Sequence, residues 1–157
     1  MVLSINNKYF YLLGALVLFG GGTVVYKKTR GLRNNNPGNI RYNSANNWVG
    51  QVGQDADGFV KFDKPVNGIR AMARTLQSYR NRGIITVDQI IATWAPAIEN
   101  NTQSYIDGVY RRTGWERPFV PTKEEGDYLP LINAMIWHEN GINPYPDSLI
   151  KQGIAAA

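Results

Sequence analysis

The apolar residues of this chain fall into one unbroken hydrophobic run followed by shorter periodic segments. Tyr9 to Tyr26 reads YFYLLGALVLFGGGTVVY, 18 residues without a charge, bounded by Lys8 and by Lys27-Lys28. From Val66 to Arg80, Ile69, Met72, Ala73 and Leu76 recur at helical spacing, with Arg70, Arg74 and Arg80 off the stripe. Thr86-Val87-Asp88-Gln89 has the spacing of a capping box and predicts a helix that turns Val87, Ile90, Ile91 and Trp94 inward and ends at Ala95-Pro96. A third helix is predicted from about Thr102 to Thr113, burying Tyr105, Ile106 and Val109. The last has Asp127 as N-cap and Pro130 in its first turn, where a missing N–H costs little, and it stops at Asn140-Gly141. Asn39–Tyr42 and Phe59–Phe62 read as short strands between turns. The pattern predicts a single α+β unit, mostly helical.

The uncharged run is just long enough to cross a hydrocarbon core of roughly 30 Å. Tyr9, Phe10, Tyr11 and Tyr26 would suit the two interfaces, and Gly20 to Gly22 are tolerated in a membrane span. A cleaved signal peptide fits less well: its basic n-region is thin, no small-x-small cleavage site follows, and the downstream flank is strongly basic. Residues 1–29 are therefore expected to be an N-terminal membrane anchor and residues 30–157 the functional domain. Lys27, Lys28, Arg30 and Arg33 after the run outweigh Lys8 before it, which keeps the domain on the side of synthesis. A single-pass protein in the membrane of a virion, acquired inside the host, would reconcile that orientation with work on the cell wall.

The net charge is +5, of which residues 1–30 carry +4; beyond them 13 basic residues face 12 acidic ones. The domain therefore makes no strong case for nucleic acid as a partner. There are no cysteines, so disulfides, thiolate metal sites and cysteine nucleophiles are excluded. Gln54 to Gly58 (QDADG) has part of a calcium-loop pattern but lacks its third ligand position and distal Glu, and no metal or cofactor is expected. Gly31 to Asn47 is rich in Asn and Gly, which is turn material.

Candidate chemistry centres on Glu139. Ile132, Met135 and Ile136 set a helical stripe whose next position is this carboxylate, in the last turn of the final helix. Burial and the negative end of the helix dipole both disfavour the ionised form, which is how a carboxyl remains protonated near neutral pH and serves as a general acid. A Glu at the rim of the stripe, reaching water, is the alternative.

His138-Glu139-Asn140-Gly141-Ile142-Asn143-Pro144 resembles the catalytic motif of lytic transglycosylases, a helix ending in Glu-Ser-x-Phe-Asn-Pro, with Asn140 for the usual Ser and Ile142 for the usual Phe. Glu99-Asn100-Asn101-Thr102-Gln103-Ser104-Tyr105-Ile106 is similar to the later Glu-Thr-x-x-Tyr-Val segment of those enzymes, which sets Tyr105 beside the catalytic Glu. Asn39-Ile40-Arg41, Trp48-Val49-Gly50 and Phe59–Phe62 follow the order seen in flagellar-type glucosaminidases downstream of their catalytic Glu. Here the Glu-bearing helix comes last, so the resemblance implies a circularly permuted lysozyme-like domain. Residues 30–157 are similar, motif by motif, to phage virion-associated peptidoglycan-degrading proteins.

The resemblance implies a lytic enzyme that cleaves the MurNAc–GlcNAc bond of peptidoglycan for genome entry or host lysis, with Glu139 as sole acid/base. Its expected partners are glycan strands, a lipid membrane and other virion proteins. Glycosidases ordinarily need a second carboxylate. Glu99, Asp55 and Asp57 are the available acids, and without one of them transglycosylation is favoured over hydrolysis. Tyr105, Glu99, Asn39, Trp48 and Asn143 are the substrate-binding candidates. Four of them have a plainer reading: core packing for Tyr105 and Trp48, a cap or solvated charge for Glu99, turn geometry for Asn39. His138 need not enter the site, since neighbours on a helix point about 100° apart. A non-enzymatic virion protein that binds wall glycan or shell proteins is the rival class.

Overall fold

The computed structural model describes residues 28–96 and 101–157. In chain order it contains α1 (Arg30–Arg33), β1 (Gln51–Gln54), β2 (Val60–Phe62), α2 (Pro65–Asn81), α3 (Val87–Trp94), α4 (Thr102–Thr113), α5 (Tyr128–Asn140) and α6 (Asp147–Ala155). The result is a helical protein with one small two-stranded sheet among the described residues.

Local sequence accounts for the main helices. Pro65 occupies the first turn of α2, and Ile69, Met72, Ala73 and Leu76 are buried as one stripe. The capping box of α3 is formed: the Gln89 N–H donates to Thr86 Oγ1 at 3.2 Å and the Thr86 N–H donates to Gln89 Oε1 at 3.1 Å. Asn101 caps α4 by accepting from the Ser104 N–H at 3.0 Å. Asp127 stands before α5 but caps nothing there, because its carboxylate turns back to the Thr122 N–H at 3.0 Å. α5 is the centre of the molecule. Leu131, Ile132, Ala134, Met135 and Ile136 are buried on it, and α1, α2, α4 and α6 pack around it.

The strands differ from expectation. β1 and β2 pair antiparallel, Gln54 opposite Val60 and Gln51 opposite Phe62, while residues 39–42 contribute only an isolated bridge between Arg41 and Phe59. The Ile40 carbonyl does pair with β2, accepting from the Val60 N–H at 3.0 Å, and the Tyr42 N–H donates to the Gly58 carbonyl at 2.8 Å. The Ile40 N–H goes instead to the Asn36 side chain at 2.9 Å, so the pairing does not extend into a third strand.

The expected architecture, a lysozyme-like domain behind an N-terminal transmembrane helix, is corrected to this helical protein with its two-stranded sheet. The proposed span over residues 9–26 lies outside the described residues. Among the described residues no helix is long and apolar enough to cross a membrane. The longest, α2, has 17 residues and carries Arg70, Arg74 and Arg80, whereas a span needs about 20 predominantly apolar ones. The single-pass membrane location rested on that span and is withdrawn with it.

Gly68 joins α2 to the loop that carries part of the site. A Cβ at Gly68 would stand 2.1 Å from the Asn35 carbonyl oxygen and 2.9 Å from Pro37 Cδ. Gly68→Ala improves intrinsic helix propensity by about 1 kcal/mol. It is nevertheless expected to destabilise the protein by about 1–3 kcal/mol, because backbone has to move. A lower urea midpoint is the readout, and an unchanged one would mean that the loop does not rest on α2.

Candidate active site

The site is assembled from a polar loop and the end of the central helix. In the run Asn34-Asn35-Asn36-Pro37-Gly38-Asn39 each asparagine side chain makes a structural bond. Asn34 donates to Asp55 Oδ2 at 2.7 Å, Asn35 to the Phe62 and Asp63 carbonyls at 3.0 and 3.1 Å, and buried Asn36 to Val60 as well as Ile40. Asn35 and Asn39 take positive φ values of 51° and 48°, which Asn tolerates better than other side chains with a Cβ. Asn140 fastens this loop to α5. Its amide nitrogen donates to the Pro37 carbonyl at 2.8 Å and the Ile136 carbonyl at 3.0 Å, and its Oδ1 accepts from the Thr29 hydroxyl at 2.6 Å. The clamp delivers Asn39 to the neighbouring residue on the helix.

That neighbour is Glu139. Its Oε2 accepts from Asn39 Nδ2 at 2.9 Å, and its Oε1 accepts from Trp94 Nε1 at 3.1 Å and from the Tyr105 hydroxyl at 3.2 Å. Burial raises the carboxyl's pKa above its ordinary value, while the bonds from Asn39, Trp94 and Tyr105 act in the opposite direction. The Tyr105 hydroxyl is pushed well up, first by burial and then by the adjacent carboxylate, so it remains a donor. Oε1 already holds two donors and Oε2 holds one. Oε2 is therefore the oxygen with room for a proton.

The carboxyl opens into a groove of about 850 Å³. Its lining includes Tyr79, Trp94, Pro96, Tyr105 and His138 together with Lys28, Arg30, Arg33, Arg41 and Phe59. Glu139 is the only acid among the described lining residues. His138 lies against Tyr105, with ring centroids 3.6 Å apart and planes 9° from parallel. Loss of water, then the charge of Arg112, pushes its pKa down to about 4, which leaves the imidazole neutral beside the acid near neutral pH.

The candidates named from the sequence separate cleanly. Glu139, Tyr105 and Asn39 meet. Glu99 lies outside the described residues. Trp48 packs instead against the small cluster of Val60, Phe62 and Ala71, away from the groove. Asn143 holds the turn after α5, accepting from the Tyr145 N–H at 3.0 Å and donating to Asn133 Oδ1, and does not line the groove. Asp55 is engaged by the Asp57 and Phe59 N–H groups and Asn34, and Asp57 faces Arg30 at 3.6 Å. Neither can act as a second carboxylate beside Glu139. Sequence reasoning did not place His138 in the site, nor give Trp94 a bond to the acid. It read Lys28, Arg30 and Arg33 only as flanks of the hydrophobic run, and Arg41 only as part of the Asn39-Ile40-Arg41 motif. No group of three or more metal-ligating side chains comes together among the described residues.

No family model matches the chain. It is similar to Protein P5 of Pseudoalteromonas phage PM2, with 44% identity over 135 residues that span 83% of each sequence.

Proposed function

The chain belongs to the family of Protein P5 of Pseudoalteromonas phage PM2, and from the geometry of its site we propose that this bacteriophage protein cleaves the MurNAc–GlcNAc bond of peptidoglycan as a lytic transglycosylase. The observation that carries the reading is a single buried carboxyl with a raised pKa, held by three side-chain donors in a groove with no other acid among its described lining residues.

The chemistry follows from that arrangement. Protonated Oε2 gives its proton to the glycosidic oxygen as the bond from that oxygen to the MurNAc anomeric carbon breaks. The C6 hydroxyl of the same MurNAc attacks the anomeric carbon and passes its proton to Glu139. The enzyme regains its acid form, the product carries a 1,6-anhydro ring, and no water is consumed. Asn39, Trp94 and Tyr105 donate to the carboxylate that exists between the two steps, which lowers the cost of leaving charge in a buried place. Hydrolysis would need a partner carboxylate about 5 Å away for retention or about 6.5–9.5 Å for inversion. The described residues of the groove offer none, and this favours the intramolecular nucleophile.

Incubation with purified sacculi and mass spectrometry of the released muropeptides test the reading. Anhydro ends are expected, each one water lighter than a reducing end. The rate is expected to fall as pH rises through the raised pKa of Glu139, because the acid form is the one that starts the reaction. Reducing ends would make the protein a hydrolase, and release of nothing would remove the enzyme.

A further inference from the structure

α4 and α5 frame another depression, of about 450 Å³, lined by Arg111 and Arg112 of α4 and by Pro130, Asn133, Ala134 and Trp137 of α5. Trp137 keeps 38% of its surface open, although its neighbours Met135 and Ile136 are fully buried. The Arg112 guanidinium lies over its ring, 4.2 Å from the centroid. This depression and the groove approach each other at Gly108. A Cβ there would stand 3.8 Å from Nη2 of Arg111, in the lining of the depression, and 3.8 Å from Nδ1 of His138, in the lining of the groove. The pKa of His138, held down first by loss of water and then by the charge of Arg112, is a second sign that the two linings are neighbours. Packing does not require a glycine at position 108. It sits inside α4, and the two atoms a Cβ would meet are at ordinary van der Waals distance. Glycine inside a helix costs stability relative to alanine, so the fold alone would favour a side chain here. What glycine provides is a low place between the two linings.

We infer that the glycan strand leaves the groove over Gly108 and that the depression around Trp137 is a remote subsite for one of its sugars. The inference rests on reading the groove as a glycan site, and adds a point of attachment away from the bond that is cut. The chemistry suits a sugar. The open part of the Trp137 ring, with Pro130 and Ala134, offers an apolar surface to a C–H face, while guanidinium N–H groups donate to hydroxyl and acetamido oxygens. Arg112 is ordered by its contact with the ring before any ligand arrives, which reduces what binding costs. The length of the strand then governs affinity as well as the bond at Glu139.

Binding, and not cleavage, is the test. The full chain carrying Glu139→Gln is titrated with amidase-stripped glycan, as long strands in one series and as tetrasaccharides in the other. Adding Trp137→Ala should weaken long-strand binding by about three- to tenfold, the size of one aromatic contact. Tetrasaccharide binding should stay as it was, since four sugars placed across the scissile bond do not extend to the remote subsite. Adding Gly108→Ala should produce the same selective loss while raising the melting temperature, whereas a glycine without a role in binding would give the rise alone. Because that variant is expected to fold better than the chain it is made in, the test stands even if Trp137→Ala unfolds. Equal losses for both lengths would place Trp137 and Gly108 in the service of the groove itself and overturn the remote subsite, as would no loss for either length. Absence of binding to glycan of any length would end the glycan reading and this inference together. Length-selective losses beside a parent protein that releases no muropeptides would end the enzyme reading and leave the subsite in place.

Discussion

Glu139→Gln is expected to abolish release of muropeptides while leaving the fold intact, and at neutral and alkaline pH the variant should melt at a higher temperature than the parent. Loss of a positioned general acid costs typically 10²–10⁴-fold in rate, and here the same group must also take the proton back. The fold survives because the new amide can be satisfied where it stands. Its oxygen still accepts from Trp94 and Tyr105, which bond Oε1 in the parent at 3.1 and 3.2 Å. Its nitrogen would face Asn39 Nδ2, donor against donor, but Asn39 Oδ1 is buried without a hydrogen-bond partner and can be turned to accept. The stability gain follows from the direction of the pKa shift. A carboxyl raised on folding binds its proton more tightly in the native state, so stability falls as pH rises from the unfolded pKa to the folded one, then stays at the lower level. Glutamine carries no such penalty. The difference in Tm between variant and parent should therefore open across that interval and be least in acid. A variant that clears sacculi at the parent's rate would remove Glu139 from the chemistry, and a Tm difference independent of pH would mean that burial does not raise its pKa.

What the sequence disclosed of this molecule, and what it concealed, follows the range of the forces involved. α2, α3, α4 and α5 are legible because helical spacing, the Thr86–Gln89 box and the Asn140-Gly141 stop are local features. β1 is not, since its residues lie half-buried or exposed and Val52 leaves 66% of its surface open, so no apolar face marks it. α6 escapes for a similar reason. Nine residues with Gly153 among them make a weak helix alone, and what fixes it is close packing on α2, where a Cβ at Gly153 would stand 2.6 Å from Ile69 Cγ2. In the site, the place of Glu139 at the end of a buried stripe can be read directly. Its bonds cannot be, because Trp94, Tyr105 and Asn39 lie 45, 34 and 100 positions away. The pairing of Arg41 with Arg30 over the Phe59 ring is hidden for another reason: counting charge along the chain averages away a juxtaposition that only folding creates.

Asn140→Ala is expected to cost about 2–4 kcal/mol of stability and most of the activity, although Asn140 does not touch the groove. Three hydrogen bonds end on this buried side chain. Its removal leaves the buried Pro37 carbonyl without the donor it has now, at about 1–3 kcal/mol for such a group, and frees Thr29. Pro37 lies two residues before Asn39, so loosening one displaces the donor that reaches Glu139 Oε2. Serine stands at this position in the motif that the sequence resembles, which makes Asn140→Ser the sharper experiment. If the position serves the chemistry in the same way, serine should restore cleavage. If the clamp is what counts, serine should fail nearly as badly as alanine, since its hydroxyl cannot span from α5 to the Thr29 hydroxyl and the Pro37 carbonyl together. Urea midpoints and muropeptide release, measured on both variants, decide the matter. We expect the serine variant to have lost both stability and rate, because the asparagine is what attaches an asparagine-built loop to the helix that carries the acid. A serine variant as stable and as active as the parent would show that the loop reaches Glu139 without that clamp.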